Sequence, residues 1–161
     1  MTTQDKDFLP LIWTAIECHN NSTNDFSKKK IKEALKDCLK KWSDQPVKMV
    51  SETVYKLAEK KGIDPFELMW PDRNVFGKIN NKSLIVWEHT TPLNELYLNL
   101  INSKNINEVE KKLSNYSGVC WISREEDQRL NENKFRSVRP NGWEKCYELC
   151  GIKIIFKNFK K

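Results

Sequence analysis

Apolar residues recur at helical spacing through the first third of the chain and predict three helices there. The first is predicted at about residues 7–19 and the second at about 26–43, with the polar stretch HNNSTND at 19–25 between them. The third is predicted at about 50–61, where Ser51 suits an N-cap and Gly62 suits a C-terminal stop. Residues 1–62 are therefore predicted to form a helical region.

The pattern changes to that of β-strands from Asp72 onward. The segments RNVFGKI and SLIVWEHT flank the polar turn NNK, which predicts a β-hairpin. Residues 84–87, LIVW, are apolar at four successive positions. Such a run is typical of a strand covered on both faces, as in the centre of an α/β sheet. The segment FELMW is a candidate for a preceding strand.

Helices and strands alternate in the rest of the chain. Thr91 is predicted to cap a helix with Pro92 in its first turn, and NINEVEKKLSNYSG predicts another short helix. VCWIS is a short apolar strand, after which Ser123 and Glu126 form a capping box for the helix REEDQRLNE. A helix WEKCYELC, ended by Gly151, and a strand IKIIFKNF follow.

This order predicts an α/β or α+β fold with a small mixed β-sheet flanked by helices. The length suits a single domain, residues 1–161. Within it we distinguish the helical region 1–62, a core at 63–123 and a C-terminal helix–strand extension at 124–161.

Composition narrows the partners and the compartment. The chain has 161 residues, of which 39% are hydrophobic and six are tryptophan, enough for a compact core. Its net charge of +6 is compatible with a polyanionic partner such as DNA. The chain has five cysteines without a CxxC pair and only two histidines, which provide no zinc-ligand framework. The cysteines are predicted to be reduced thiols in a cytoplasmic protein. No apolar run approaches the roughly 20 residues that span a membrane.

Two acids stand at the ends of the predicted hairpin. Pro71-Asp72 leads into its first strand, and Glu88-His89-Thr90 ends its second strand. This arrangement resembles the PD-(D/E)XK nuclease superfamily, whose core of a helix, a three-stranded meander, a helix and a strand would be supplied by residues 50–123. The resemblance implies a restriction-endonuclease-like core in which Asp72 and Glu88 bind Mg²⁺ or Mn²⁺. Thr90 stands where the family usually has lysine, and His89 would assist catalysis.

Metal binding at these acids depends on the register of the hairpin. A metal that hydrolyses phosphodiesters lowers the pKa of a bound water, and Mg²⁺ takes hard oxygen ligands such as carboxylates. A two-residue loop at 80–81 turns Asp72 away from Glu88, whereas a three-residue loop at 80–82 brings Asp72, Glu88 and Thr90 together. The sequence leaves both registers open.

Two alternatives exist for the same residues. The hairpin, the acid–histidine pair and the next helix also resemble the ββα-metal nucleases of the HNH group, in which a histidine is the general base. Asn94 and Asn99 would then supply ligands from the helix. Without catalysis, Glu88 and His89 end a strand and Asp72 caps a turn.

A second candidate site lies nearer the C-terminus, in the segment FRSVRPNGW. Its Arg136 and Arg139 can bind phosphate or guanine, and Trp143 can stack on a base, so a DNA-contacting loop is predicted. The alternative is that Trp143 packs on Tyr147 while the arginines pair with the acids of REED.

The leading functional hypothesis is a magnesium-dependent DNA endonuclease of restriction type. If it cuts both strands, a homodimer is expected, because one such site attacks one strand. The second hypothesis is a non-catalytic protein, on a degenerate nuclease-like fold, that binds nucleic acid or inhibits a nuclease. Thr90 in place of lysine favours the second hypothesis.

Overall fold

The computed structural model of the chain describes residues 3–158, with side chains from Asp7 onward. Its helices are α1 (Thr3–Asn21), α2 (Asp25–Trp42), α3 (Glu52–Glu59), α4 (Leu93–Ile101), α5 (Ile106–Ser114), α6 (Arg124–Glu132) and α7 (Trp143–Leu149). Its strands are β1 (Met49–Ser51), β2 (Lys78–Ile79), β3 (Lys82–Ser83), β4 (Ile85–His89), β5 (Val119–Ser123) and β6 (Ile154–Phe156). A short 3₁₀ helix covers Trp70–Asn74. The mixed α/β class is confirmed. No described helix is both long and apolar enough to cross a membrane.

The chain divides into two compact units, each built from two separate stretches. The first unit combines Met1–Ser43 with Pro92–Ser117, and the second combines Asp44–Thr91 with Gly118–Lys161. The predicted division into regions 1–62, 63–123 and 124–161 of one domain stays a prediction.

The first unit consists of α1, α2, α4 and α5. Asn24 caps α2 by accepting a hydrogen bond from the Ser27 N–H, as expected for an asparagine at this position. The apolar faces of the helices share one core, whose fully buried members include Ile12, Ile16, Leu35, Leu39, Leu100 and Val109. The helices predicted at 7–19 and 26–43 are therefore confirmed, with slightly different ends.

The second unit is built on a four-stranded sheet in the order β4-β5-β1-β6. β5 runs antiparallel to β4 and parallel to β1, and β6 runs antiparallel to β1. Successive residues of β5 face opposite sides of the sheet. Val119 and Trp121 pack in a cluster with α3, whereas Cys120 and Ile122 pack in a cluster with α6 and α7. β5 therefore has a core on both faces, and so does β1, whose Met49 and Val50 belong to different clusters.

Several strand predictions are wrong. The run LIVW does not mark a central strand, because β4 lies at the edge of the described sheet, where it pairs with β5. It does pack on both faces as predicted, since Ile85 belongs to one core cluster and Val86 packs against the other. Among the described residues FELMW forms no strand, and RNVFGKI contributes only Lys78–Ile79, because Trp70–Asn74 forms a 3₁₀ helix with Pro71 in its first turn. The third helix starts at Glu52 rather than 50, since β5 and β6 pair with Met49–Ser51 as a strand.

Local end signals were better guides than strand patterns. Ser123 and Glu126 form the predicted capping box, with the Glu126 carboxylate accepting from the Ser123 N–H at 2.7 Å. Ser51 caps α3, as predicted. α4 differs, because Pro92 rather than Thr91 is its N-cap and accepts a hydrogen bond from the Leu96 N–H.

Candidate functional site

On the 3₁₀ helix of the second unit, an exposed tryptophan side chain stacks against an arginine side chain. In a 3₁₀ helix, side chains three residues apart eclipse each other. The Arg73 guanidinium accordingly lies 3.7 Å from the centroid of the Trp70 ring. Arg73 also donates a hydrogen bond to the Trp70 carbonyl. Trp70 nevertheless remains 47% exposed, which is unusual for so large an apolar side chain.

A short cationic hairpin follows in the chain. β2 and β3 are joined by Asn80 and Asn81, which both have positive φ, 50° and 62°. Positive φ at both central residues is the requirement of the tight two-residue hairpin turn, and asparagine tolerates it better than most residues. The hairpin carries Lys78 on one strand and Lys82 on the other. Neither lysine takes part in an ion pair with any described residue.

The stacked pair and the hairpin line one cleft of about 380 Å³. Of the described residues that line it, four are cationic and none is acidic. Its polar and aromatic walls are Trp70, Arg73, Asn74, Lys78, Asn81, Lys82, Ser83, Trp87 and Arg124. A concave, cationic, partly aromatic surface suits a ligand that combines negative charge with a flat ring.

Arg124 is held in place at the wall of this cleft. Its Nε donates to the Ser83 carbonyl at 3.1 Å, and its Nη1 lies 3.6 Å from the Asp127 carboxylate. Its charge is therefore partly offset. Lys78 and Lys82 have no such acidic neighbour among the described ion pairs, so their positive charges are less offset than that of Arg124. Arg73 contributes a guanidinium that already stacks on an aromatic ring.

The hairpin adopts the two-residue loop, the register for which the sequence predicts that Asp72 turns away from Glu88. Asp72 is exposed, and its Oδ2 accepts a hydrogen bond from the Met69 N–H at 2.8 Å. Glu88 lies opposite Cys120 of β5 rather than opposite residues 72–74. Asp72 and Glu88 therefore have different neighbours in the fold.

Glu88 is instead engaged by an arginine from the loop before α7. Arg139 donates a hydrogen bond from Nη2 to Glu88 Oε1, and the two side chains are 2% and 19% exposed. Burial raises the pKa of Glu88 to about 7, and the Arg139 guanidinium opposes this rise. Nearby Asp127 adds to it. The pair ties this loop to the edge strand β4.

The two other predicted catalytic residues also lie at the end of β4. The Thr90 side chain is fully buried, and its hydroxyl donates to the Gly118 carbonyl at 2.8 Å. His89 is half-buried and lies opposite Val119 in the sheet. In the described part of the chain, no group of three or more His, Cys, Asp or Glu residues could hold a metal. Because Mg²⁺ needs only one or two carboxylates, its binding by Asp72 and Glu88 stays a prediction.

The predicted DNA-contacting loop presents one exposed residue of its three. Arg136 is exposed, whereas Arg139 is buried against Glu88. Trp143 is half-buried and packs edge-on against Tyr147, with ring centroids 5.3 Å apart, as the structural alternative predicted. Arg139 pairs with Glu88, which lies outside the REED segment. Nucleic-acid binding by these three residues stays a prediction.

The residues of the cleft were not singled out as a binding site from the sequence. A signal was nevertheless present in the segment WPDR, where an aromatic and an arginine stand three residues apart beside a helix-starting proline. The two lysines flanking the Asn80-Asn81 turn are a second signal. Comparisons with protein-family models, with curated proteins and with solved structures give no significant match. Any inference about a ligand of the cleft therefore depends on the chemistry of its side chains.

Proposed function

We propose that the protein binds nucleic acid through the cleft of its second unit. One observation supports this proposal above the others: four cationic side chains and an exposed tryptophan share a concave wall to which no described residue contributes a carboxylate. Phosphate backbones bind mainly through lysine and arginine, and bases stack on aromatic rings. This function is the second of the two that the sequence suggests.

Lysine and arginine have complementary roles in such a site. Lys78 and Lys82 are point charges on flexible stems, and each can follow a phosphate. The planar fork of Arg73 is already ordered against Trp70, so less side-chain entropy is lost when it binds an anion. The net charge of +6 draws polyanions toward the molecule from a distance.

The endonuclease hypothesis draws less support from the same geometry. The carboxylate of Asp72 caps a turn, that of Glu88 is bound by Arg139, and the Thr90 hydroxyl is bound to a carbonyl. Metal binding by Glu88 would have to use its second carboxylate oxygen or displace Arg139, whose positive charge already neutralises the carboxylate. We therefore propose binding without cleavage, and incubating plasmid, single-stranded DNA and RNA with Mg²⁺ or Mn²⁺ tests this. Metal-dependent cutting that both Asp72→Ala and Glu88→Gln abolish would restore the endonuclease hypothesis.

Binding itself is tested by fluorescence anisotropy with labelled 20-nucleotide strands and duplexes at several salt concentrations. The Lys78→Gln/Lys82→Gln double variant is expected to bind about tenfold more weakly near 50 mM salt. Its slope of log affinity against log salt for single strands should also be smaller by about 1.4, because two phosphate contacts are lost.

The matched control is Lys29→Gln/Lys41→Gln, which removes the same charge from exposed positions of α2 in the first unit. It should reduce affinity only slightly. Equal losses in the two double variants would mean that net charge, not the cleft, governs binding. Absence of binding by the wild type at 50 mM salt would refute the proposed function.

The compartment, the type of nucleic acid and the oligomeric state are also proposals. We assign the protein to the cytoplasm because all five cysteines are free thiols, as suits a reducing compartment. DNA remains the proposed partner from the sequence, although the cleft chemistry serves RNA equally well. A homodimer is expected only if both strands of a duplex are cut.

A further inference from the structure

We propose that the cleft selects single-stranded nucleic acid by stacking one unpaired base on Trp70. This inference rests on the proposed function and specifies the class of ligand. The shared chemistry is a phosphate next to a base whose flat face is accessible. A duplex offers phosphates and base edges, but its base faces are covered by neighbouring bases.

Trp70 has the features of a prepared stacking surface. It is the first residue of the 3₁₀ helix Trp70–Asn74, whose start is closed by the hydrogen bond from the Met69 N–H to the Asp72 carboxylate. Arg73 stacks on the ring and restrains it. The indole therefore loses little freedom when a base covers it, while its exposed apolar surface leaves water.

Positively charged side chains line the same cleft as Trp70 and could bind the phosphates of such a strand. Lys78 and Lys82 occupy the two strands of one hairpin and line the same cleft as Trp70. Arg124 lines it as well and is oriented by the Ser83 carbonyl. A base on Trp70 thus brings its flanking phosphates among three positive charges. This combination of cationic groove and aromatic platform is that of sequence-tolerant single-strand binding.

The inference is tested with Trp70→Ala and Trp70→Phe, using anisotropy of a labelled 12-nucleotide strand, the same strand with abasic sites, and its duplex. Wild type should prefer the strand to the duplex. Trp70→Ala should weaken strand binding by about 5- to 150-fold, the usual effect of losing one stacked base. Trp70→Phe should retain most of the affinity. Binding to the abasic strand and to the duplex should be the same for wild type and Trp70→Ala.

Phe26→Ala is the matched control, since Phe26 is an aromatic residue that is 70% exposed in the first unit. Its binding should equal that of the wild type. Thermal unfolding of each variant confirms that it is folded.

The outcomes separate this inference from the proposed function. If Lys78→Gln/Lys82→Gln weakens binding but Trp70→Ala does not, the cleft binds phosphate and the stacking inference is overturned. If the wild type binds duplex as tightly as single strand, strand selection is likewise overturned. If adenosine monophosphate competes as strongly as the 12-nucleotide strand, the ligand is a free nucleotide. If wild type binds none of them, the proposed function fails first.

Discussion

Replacing Glu88 by glutamine should change how the stability of the protein depends on pH. Glu88 lies on the edge strand β4, half-buried, with its carboxylate bound by the buried Arg139. Burial raises its pKa from the ordinary value near 4.5 to about 7, Asp127 adds to the rise, and Arg139 and Arg136 oppose it. Glutamine keeps the shape and the acceptor oxygen but cannot titrate in this range.

The direction of the effect follows from where the proton resides. Between pH 4.5 and 7 the folded protein holds a proton on Glu88 that the unfolded chain has released. The contribution of this group to stability is therefore fully present below pH 4.5 and is lost as the pH rises through 7. Each pH unit of this interval is worth about 1.4 kcal/mol, so the total contribution approaches 3 kcal/mol.

Urea unfolding from pH 4.5 to 8 measures this contribution, followed by fluorescence, because four of the six tryptophans lie in the second unit. The free energy of unfolding of the wild type minus that of Glu88→Gln should fall by about 3 kcal/mol across the range. The subtraction removes the contributions of all other titrating groups. A difference that rises with pH would refute the reasoning, because it would mean that Arg139 outweighs burial and keeps the pKa low.

Three further perturbations follow from the same contacts. Arg139→Met should lower the free energy of unfolding by about 3 kcal/mol at pH 8, and by less at pH 5, where Glu88 can protonate; thermal melts at both values check this. Thr90→Val should lower stability by about 1–2 kcal/mol through loss of the hydrogen bond to Gly118, without changing nucleic-acid affinity, which urea unfolding and anisotropy measure. Asn81→Gly should preserve the hairpin turn, whereas Asn81→Val should destabilise it by about 1–2 kcal/mol because φ is positive there; equal unfolding midpoints for the two would contradict this.

Local sequence signals predicted much of the secondary structure. The capping box of Ser123 and Glu126 involves groups three residues apart, so no distant part of the chain is needed to form it. The long helices α1 and α2 follow from apolar periodicity for the same reason, and β5 follows from a short apolar run. The mixed fold class was predictable because it depends only on which elements occur.

Strand pairing was decided by the tertiary structure. The helix predicted from about residue 50 begins only at Glu52, because Met49–Ser51 becomes β1. Its partners β5 and β6 come from about 70 and 100 residues later in the chain. The apolar run before Glu88 predicts a buried strand, yet it cannot tell a central position from an edge position. Edge or centre is set by which strands lie alongside, and these come from distant parts of the chain.

The contacts of the candidate sites also differ in whether they join near or distant parts of the chain. The Trp70–Arg73 stack and the Asn80-Asn81 turn are local features, because each joins residues at most three positions apart. The sequence nevertheless predicted strands around Trp70 and Arg73 and left the loop length open, so by itself it determined only that the two asparagines tolerate positive φ. Only the tertiary structure decided that Glu88 binds Arg139, 51 residues away, and that Arg124 reaches the cleft. The physical reason is range: hydrogen bonds within a turn are encoded by neighbours, whereas a buried ion pair exists only where the fold has removed water from both charges.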